Sequence, residues 1–334
     1  MPSSPASFAR RALLLLPLLL LSACNTIVMN PAGDIANQQA NLIVVSTVLM
    51  LLIIVPVIVL IIVFAWRYRS SNTSAPYKPE WDHSTRLELV IWGAPLLIII
   101  ALGLITWIST HLLDPYRPLS RLDAARPIAA TTKVLEVEVV ALDWKWLFIY
   151  PELGIATVNE LATPVDVPVR FKITASTVMN SFYIPAMAGQ IYAMPSMQTT
   201  LHGVMNKPGV FDGFSANYSG AGFSNMRFKL HSMDQAGFDA WVAKVKAGAD
   251  KLDRTAYLDL EKPTIKDAPR YFNSVETDLF DAVVNRCVEP GSVCMTQQMH
   301  ADAHRHAGAT AEHQLAVATK QEICTTPTNL VKTN

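Results

Sequence analysis

"LIVVSTVLMLLIIVPVIVLIIVFAW", residues 42–66, runs for 25 residues without a charged side chain. As a helix it spans about 37 Å at ~1.5 Å per residue, enough to cross a hydrocarbon core of roughly 30 Å. A second uncharged run covers residues 89–110. Pro56 and Pro95 lie inside these runs; prolines are tolerated in membrane helices because neighbouring groups satisfy the freed carbonyls. Trp66, Trp92 and Trp107 stand near the run ends, where amphipathic rings prefer the interface. The competing reading, two buried core helices, suits uncharged runs of this length poorly. The two runs therefore predict a transmembrane hairpin.

The segment between them, residues 67–88, carries Arg67, Arg69, Lys78 and Arg86. Positive charge beside a span marks the cytoplasmic side. Residues 24–41 and everything beyond His111 then lie outside, in the periplasm if the cell is Gram-negative. The N-terminus agrees. Arg10 and Arg11 precede "ALLLLPLLLL", an apolar core too short to span, which ends in "LSAC". Residues 1–23 read as a lipoprotein signal, with Cys24 as the lipidated first residue. A plain signal peptide with a chance cysteine, or a short core strand, is the alternative. The whole chain of 334 residues is 51% hydrophobic with zero formal charge. That balance is too apolar for an ordinary soluble domain and leaves no basic footprint for nucleic acid.

The outer part changes character. Residues 111–130 are rich in Pro, Arg and Ala and read as a linker. "TKVLEVEVVALDW" then alternates, with Leu135, Val137 and Val139 on one face and Glu136 and Glu138 on the other, the pattern of a half-buried strand. Further short strands follow, punctuated by Pro, Gly and Asn, and predict a β-sandwich or barrel over residues 131–230. A helical arm is expected over 231–287. Ser232 and Gln235 suggest a capping box ahead of the apolar face Phe238, Trp241, Val242 and Val245. A second helix is expected at 274–286, capped by Asn273 and Glu276, with Val275, Leu279, Phe280 and Val283 on its apolar side. It would pack on a partner or lie along the membrane. The fold class is thus membrane-anchored α+β.

Cys287 at the end of the arm and Cys294 in the tail, 288–334, are close enough for a disulfide in an oxidising compartment, but Cys324 leaves three single pairings open. His300, His304, His306 and His313 form a biased run, either a metal-binding tract or a solvated tail. Glu88 opens the second span. It reads either as a solvated first-turn carboxylate favoured by the helix dipole or as a functional ionisable group at the membrane edge.

One loop gives these parts a common sense. "FSANYSGAGFSNM", residues 214–226, keeps the frame C-x-E-x-C-x-x-x-H-x-x-M with its ligands changed to Ser215, Asn217, Ser219 and Phe223, leaving Met226. Upstream, "VMNSFYIP" has Asn180 where that pattern has histidine. Together with the two spans, "DWKWLFIYPELGIATVNE" and "GQIYAM", these stretches resemble subunit II of the haem–copper oxidases over roughly residues 20–285. The similarity is to the quinol-oxidising, cytochrome bo-type branch. It implies that the β-domain is a cupredoxin without its dinuclear copper. A copper pair needs bridging thiolates and imidazoles; hydroxyl, carboxamide and phenyl groups are poor or null donors, and one thioether cannot hold copper alone. The resemblance implies that this chain carries no catalytic residue, metal or cofactor of its own, and that haems and copper belong to subunit I. Ubiquinol is then the donor to the complex, with subunits III and IV as further partners and no cytochrome c. It also implies a proton-entry role for Glu88. Trp144 and Trp146 fall where copper-bearing relatives place an aromatic electron entry, and are read here as packing. The alternative to the whole reading is a stand-alone membrane-anchored cupredoxin-like protein serving binding or assembly.

Overall fold

A computed structural model describes residues 26–303 except Tyr77 and Ala130. The signal segment, Cys24, His304, His306, His313 and Cys324 lie outside the described residues.

Two long helices come first, α1 at Asp34–Arg67 and α2 at Thr85–Leu112, each continuing through its internal proline. Their apolar side chains face outward along most of the length, as lipid-facing surfaces require. α1 begins eight residues before its apolar run because its polar first turns are anchored to the β-domain. The amides of Ala32 and Gly33 donate to the Ala186 carbonyl, and that of Ala36 to Met187. Gly33 has no room for a Cβ, which would stand 2.3 Å from the Val204 carbonyl oxygen.

The outer domain is two sheets face to face. Strands β1 (Leu135–Leu142), β2 (Lys145–Tyr150), β3 (Ile155–Val158), β5 (Pro168–Ala175), β8 (Thr199–Val204) and β12 (Arg270–Phe272) form one, in the order β12-β3-β2-β1-β5-β8. The other holds β4 (Glu160–Pro164), β6 (Asn180–Tyr183), β7 (Ile191–Ala193), β9 (Gly209–Ser215) and β10 (Arg227–Met233), in the order β4-β10-β9-β6-β7. β1 runs parallel to β5, with Val137 opposite Phe171, while β1 and β2 are antiparallel. Between the sheets an aromatic cluster fills the core. Phe182 stacks on Phe228 at 5.4 Å, and Trp146 meets both edge-on at 5.3 and 5.8 Å. Such pairs add about 0.5–1.5 kcal/mol each beyond their buried area.

Strand β1 is half-buried only over its first four residues; from Val139 on, both faces are covered. β2 is buried throughout. The cause is the C-terminal arm, which packs on the outer face of the six-stranded sheet instead of on a membrane or partner. Leu252, Tyr257, Leu260, Phe272, Leu279 and Phe280 close over Val140, Leu142, Leu147 and Ile149.

The arm departs from expectation in three places. Its first helix, α3 (Gln235–Lys246), is capped by Asp234, whose side chain accepts from the Gly237 amide; Ser232 belongs to β10 and is buried. A helix not anticipated, α4 (Arg254–Glu261), is capped by Asp253. The helix expected at 274–286 shrinks to α5, Leu279–Val284. Ser274–Val275 instead form β13, which pairs with β11 (Lys251–Leu252), and Asp278 takes a left-handed φ of 66° that interrupts any longer helix. Asn273 and Glu276 cap nothing there: the Asn273 side chain donates to the Gly248 carbonyl and Glu276 pairs with Arg254.

The segment 111–130 is held against the domain. Arg126 pairs with Asp123 and with Asp166, and Asn206 donates to Asp166 and to the Leu122 carbonyl. Arg121 reaches Asp34 at the head of α1. The stretch is a collar joining the hairpin to the β-domain.

On the outer sheet, Glu136 accepts from both Arg170 and Lys172. Burial alone would raise its carboxyl, but these partners bring it below the usual range. Glu138 forms no ion pair among the described residues and feels Lys172 only at a distance. Burial pushes its carboxyl up to about 7, with Glu136 and Asp281 adding to the rise against Lys172.

Candidate functional site

The loop 216–226 closes the end of strands β9 and β10. Ser215, the last residue of β9, is buried, and its Oγ lies 3.0 Å from Asn180 Oδ1 and 3.2 Å from the Asn217 carbonyl. One hydroxyl proton therefore serves two acceptors. Asn180 turns its Nδ2 to the Val178 carbonyl, 3.1 Å away. Asn217 ties the loop back through weaker contacts to the Met179 and Tyr218 carbonyls, at 3.4 and 3.3 Å. The Ser215 amide donates to the Met226 carbonyl, and the Met226 side chain is wholly buried in the core cluster.

The structure thus gathers Asn180, Ser215, Asn217 and Met226 at one place. Ser219 and Phe223 belong to the same loop but do other work. The Ser219 carbonyl accepts from the Trp144 indole at 3.2 Å, and its Oγ has no partner among the described residues. Phe223 meets the exposed ring of Tyr218 at 5.7 Å.

Trp144 forms the floor of this loop. It sits in the β1–β2 turn with φ of 65°, an uncommon state for a bulky residue. A Cβ on Gly222 would fall 2.3 Å from its ring, so a side chain is excluded there. The loop's glycines are the signal that an aromatic plate lies beneath, though nothing in their spacing says which aromatic. Trp146, two residues on, is buried in the core against Phe182 and Phe228. Lys145 between them is buried. Its Nζ donates to the Lys262 carbonyl at 2.8 Å and to Thr264 Oγ1 at 2.5 Å, and burial lowers its pKa against the pull of Asp267.

A dinuclear copper centre, which the resemblance associates with this frame, does not fit these residues. The hydroxyl and carboxamide at its ligand positions are bonded to each other. The phenyl of Phe223 offers no lone pair, and a single buried thioether remains. Elsewhere, no group of three or more His, Cys, Asp or Glu among the described residues could hold a metal ion.

At the opposite end of the hairpin, Glu88 stands in the first turn of α2. Its Oε1 lies 2.7 Å from His83 Nδ1, and the other ring nitrogen is 3.1 Å from Thr85 Oγ1. Both partners are about half exposed. His83 was not singled out by the sequence, since its spacing from Glu88 crosses the helix start. In the arm, Cys287 is bonded to Cys294. Arg254 donates to the Cys287 carbonyl while pairing with Glu276 at 2.9 Å, which ties the bridge to α4. His300 lies in a short helical stretch, 295–303, and is exposed.

Residues 136–233 match the family described as cytochrome c oxidase subunit II, periplasmic domain, and residues 246–291 match the COX aromatic rich motif. The cytochrome bo(3) ubiquinol oxidase subunit 2 of Pseudomonas aeruginosa is 48% identical over 92% of this chain and 88% of its own length. That of Pseudomonas putida is 50% identical over 81% and 83%. The ubiquinol oxidase subunit 2 of Acetobacter aceti is 49% identical over 80% and 84%. Among solved structures, the periplasmic domain of cytochrome oxidase subunit II from Bradyrhizobium japonicum overlaps 35% of this chain and 94% of its own, with a TM-score of 0.33 and 22% identity.

Proposed function

This chain belongs to the ubiquinol oxidase subunit 2 family, and from that premise we propose that it is the non-catalytic second subunit of a proton-pumping complex that oxidises ubiquinol and reduces dioxygen. One observation carries the non-catalytic reading. The atoms at the former ligand positions, Ser215 Oγ and Asn180 Oδ1, bond to each other at 3.0 Å. A centre that accepts electrons from a soluble cytochrome needs soft donors free to bind metal, and this site has spent its polar atoms internally. Electrons then pass from ubiquinol to subunit I, where haems and copper reside, without entering this chain.

What the chain contributes is anchorage, an outer cap and a proton entry. The hairpin spans the inner membrane with Arg67, Arg69, Lys78 and Arg86 on the cytoplasmic side. Cys24 carries the lipid, and the β-domain stands in the periplasm beside subunit I, with subunits III and IV completing the assembly. Glu88 and His83 sit together where the second span meets the cytoplasm. An exposed carboxylate paired with an imidazole can take a proton from bulk water and pass it inward through water.

The test is oxygen uptake by the purified complex with ubiquinol or reduced cytochrome c as donor, with copper measured in the same sample. Turnover with ubiquinol alone, and no copper beyond that of subunit I, is the expected result. Turnover with cytochrome c would overturn the reading.

A further inference from the structure

At the outer ends of the two spans lies a cavity of about 130 Å³. Asp34 and Gln38 of α1 line one side, and Leu112, Asp114, Arg117 and Arg121 the other. Gln38 stands four residues before the apolar run of α1, and Asp114 four beyond that of α2. Gln38, still helical, is therefore about 6 Å beyond the end of its apolar run at ~1.5 Å per residue, and Asp114 follows two residues past the end of α2 at the same level of the cavity. The headgroup layer of one leaflet is roughly 5–8 Å deep, so the cavity opens at headgroup height. Trp107 and Tyr116 are exposed nearby, as belt aromatics are.

The charges here divide into two classes. Asp34 is fully engaged: Arg121 holds it at two points, and Gln38 donates to it at 2.7 Å. Arg117 has no acidic partner among the described residues, and its guanidinium reaches only the His111 carbonyl, at 3.5 Å. Asp114 has no basic partner there; its Oδ1 accepts the Tyr116 amide at 2.9 Å. One unspent cation and one unspent anion thus open onto the same small space without pairing with each other.

We infer that this cavity binds the headgroup of an aminophospholipid, with the phosphate at Arg117 and the primary ammonium at Asp114. Charge complementarity selects the headgroup. A glycerol headgroup brings the phosphate but offers Asp114 only neutral hydroxyls and no cation. A choline headgroup brings the opposite charge, but its methylated nitrogen has no proton to donate to a carboxylate. The acyl chains descend over the exposed apolar surface below Leu112. This rests on the hairpin crossing a bilayer, as proposed above.

The test uses the intact complex, exchanged into bilayers of equal parts phosphatidylethanolamine, phosphatidylglycerol and phosphatidylcholine, with retained lipid counted by native mass spectrometry. Phosphatidylethanolamine should be retained about tenfold over the other two, the selectivity that one charge-assisted hydrogen bond supplies. Arg117→Gln and Asp114→Asn should each bring retention down towards parity, and Arg117→Lys should keep it. Both residues are exposed, so folding is unaffected, which a thermal melt checks. Retention unchanged in the Gln and Asn variants, or equal retention of all three lipids by the native chain, overturns the inference. Alkaline washing of the source membranes separates the two levels. Release of the chain would refute the hairpin itself, whereas a chain that stays but shows no preference refutes only the headgroup site.

Discussion

The guanidinium of Arg121 grips the carboxylate of Asp34 through two hydrogen bonds, of 2.9 and 3.3 Å, across 87 residues of sequence. The pair joins the collar to the first turn of the membrane helix. Asp34 is almost wholly buried, whereas Arg121 is 40% exposed. Removing the arginine strands a buried charge, a far costlier event than losing a surface pair. Arg121→Ala should destabilise the junction by about 2–3 kcal/mol, below the fully buried figure because water reaches one partner. Asp34→Asn should cost less, since the charge it leaves, that of Arg121, is partly exposed to water. Thermal unfolding of the two variants side by side ranks them, and the reverse order would contradict the account.

Gly222 sits over the Trp144 ring with no space for a methyl group. Gly222→Ala should cost about 1–3 kcal/mol through overpacking and red-shift tryptophan emission as the plate opens to water. Adding Trp144→Ala to that variant should give a total loss smaller than the sum of the two single losses. Strict additivity would mean that loop and ring are not coupled.

Glu138 has a carboxyl raised to about 7 by burial. The unfolded chain titrates near 4.5, so between these values the folded state binds more proton than the unfolded. The sign follows: the stabilising protonation is fully present below about pH 4.5 and fades as pH rises towards 7. Glu138→Gln should flatten this dependence and stabilise the domain at pH 8 by about 2 kcal/mol, allowing for partial solvent screening. Denaturant titrations at pH 5 and pH 8 check it.

The bridge between Cys287 and Cys294 has a sequence separation of seven and closes a short loop. By chain entropy alone such a closure contributes about 2.5 kcal/mol. Replacing both cysteines by serine should loosen the end of the arm before the sandwich itself. Hydrogen exchange should rise first around α5 and β13.

Glu88→Gln removes the titratable group but keeps its size and its place beside His83. Ubiquinol oxidation by the complex should slow, and Glu88→Asp should restore most of it. Unchanged proton uptake in the Gln variant would remove Glu88 from any entry path.

The pair of long apolar helices was legible because two long uncharged runs admit few other readings, and the meeting of Asn180, Ser215, Asn217 and Met226 because their spacing matches one loop frame. The burial of β1 on both faces was not legible. Alternation from Leu135 to Val139 announces one wet face, and the covering residues, Tyr257 and Leu279 among them, lie more than a hundred positions away. α4 was missed because eight residues show too few turns to declare a period. The Ser232 cap failed to local competition: Asp234 offers a stronger acceptor two residues later, and β10 claims the serine for its ladder. The Asp34–Arg121 pair leaves no mark beyond a lone acid ahead of an apolar stretch.

The late position of the arm sets an order on biogenesis. Apart from Ala156 and Val158 of the same sheet, the buried side chains clustered with Val140, Leu142, Leu147 and Ile149 all follow residue 250. During synthesis these strands emerge first, and their outer surface stays sticky until the residues beyond 250 have followed. A molecule cut short before Phe280 would present a greasy, unfinished plate to its neighbours, and should clump where the full-length chain does not.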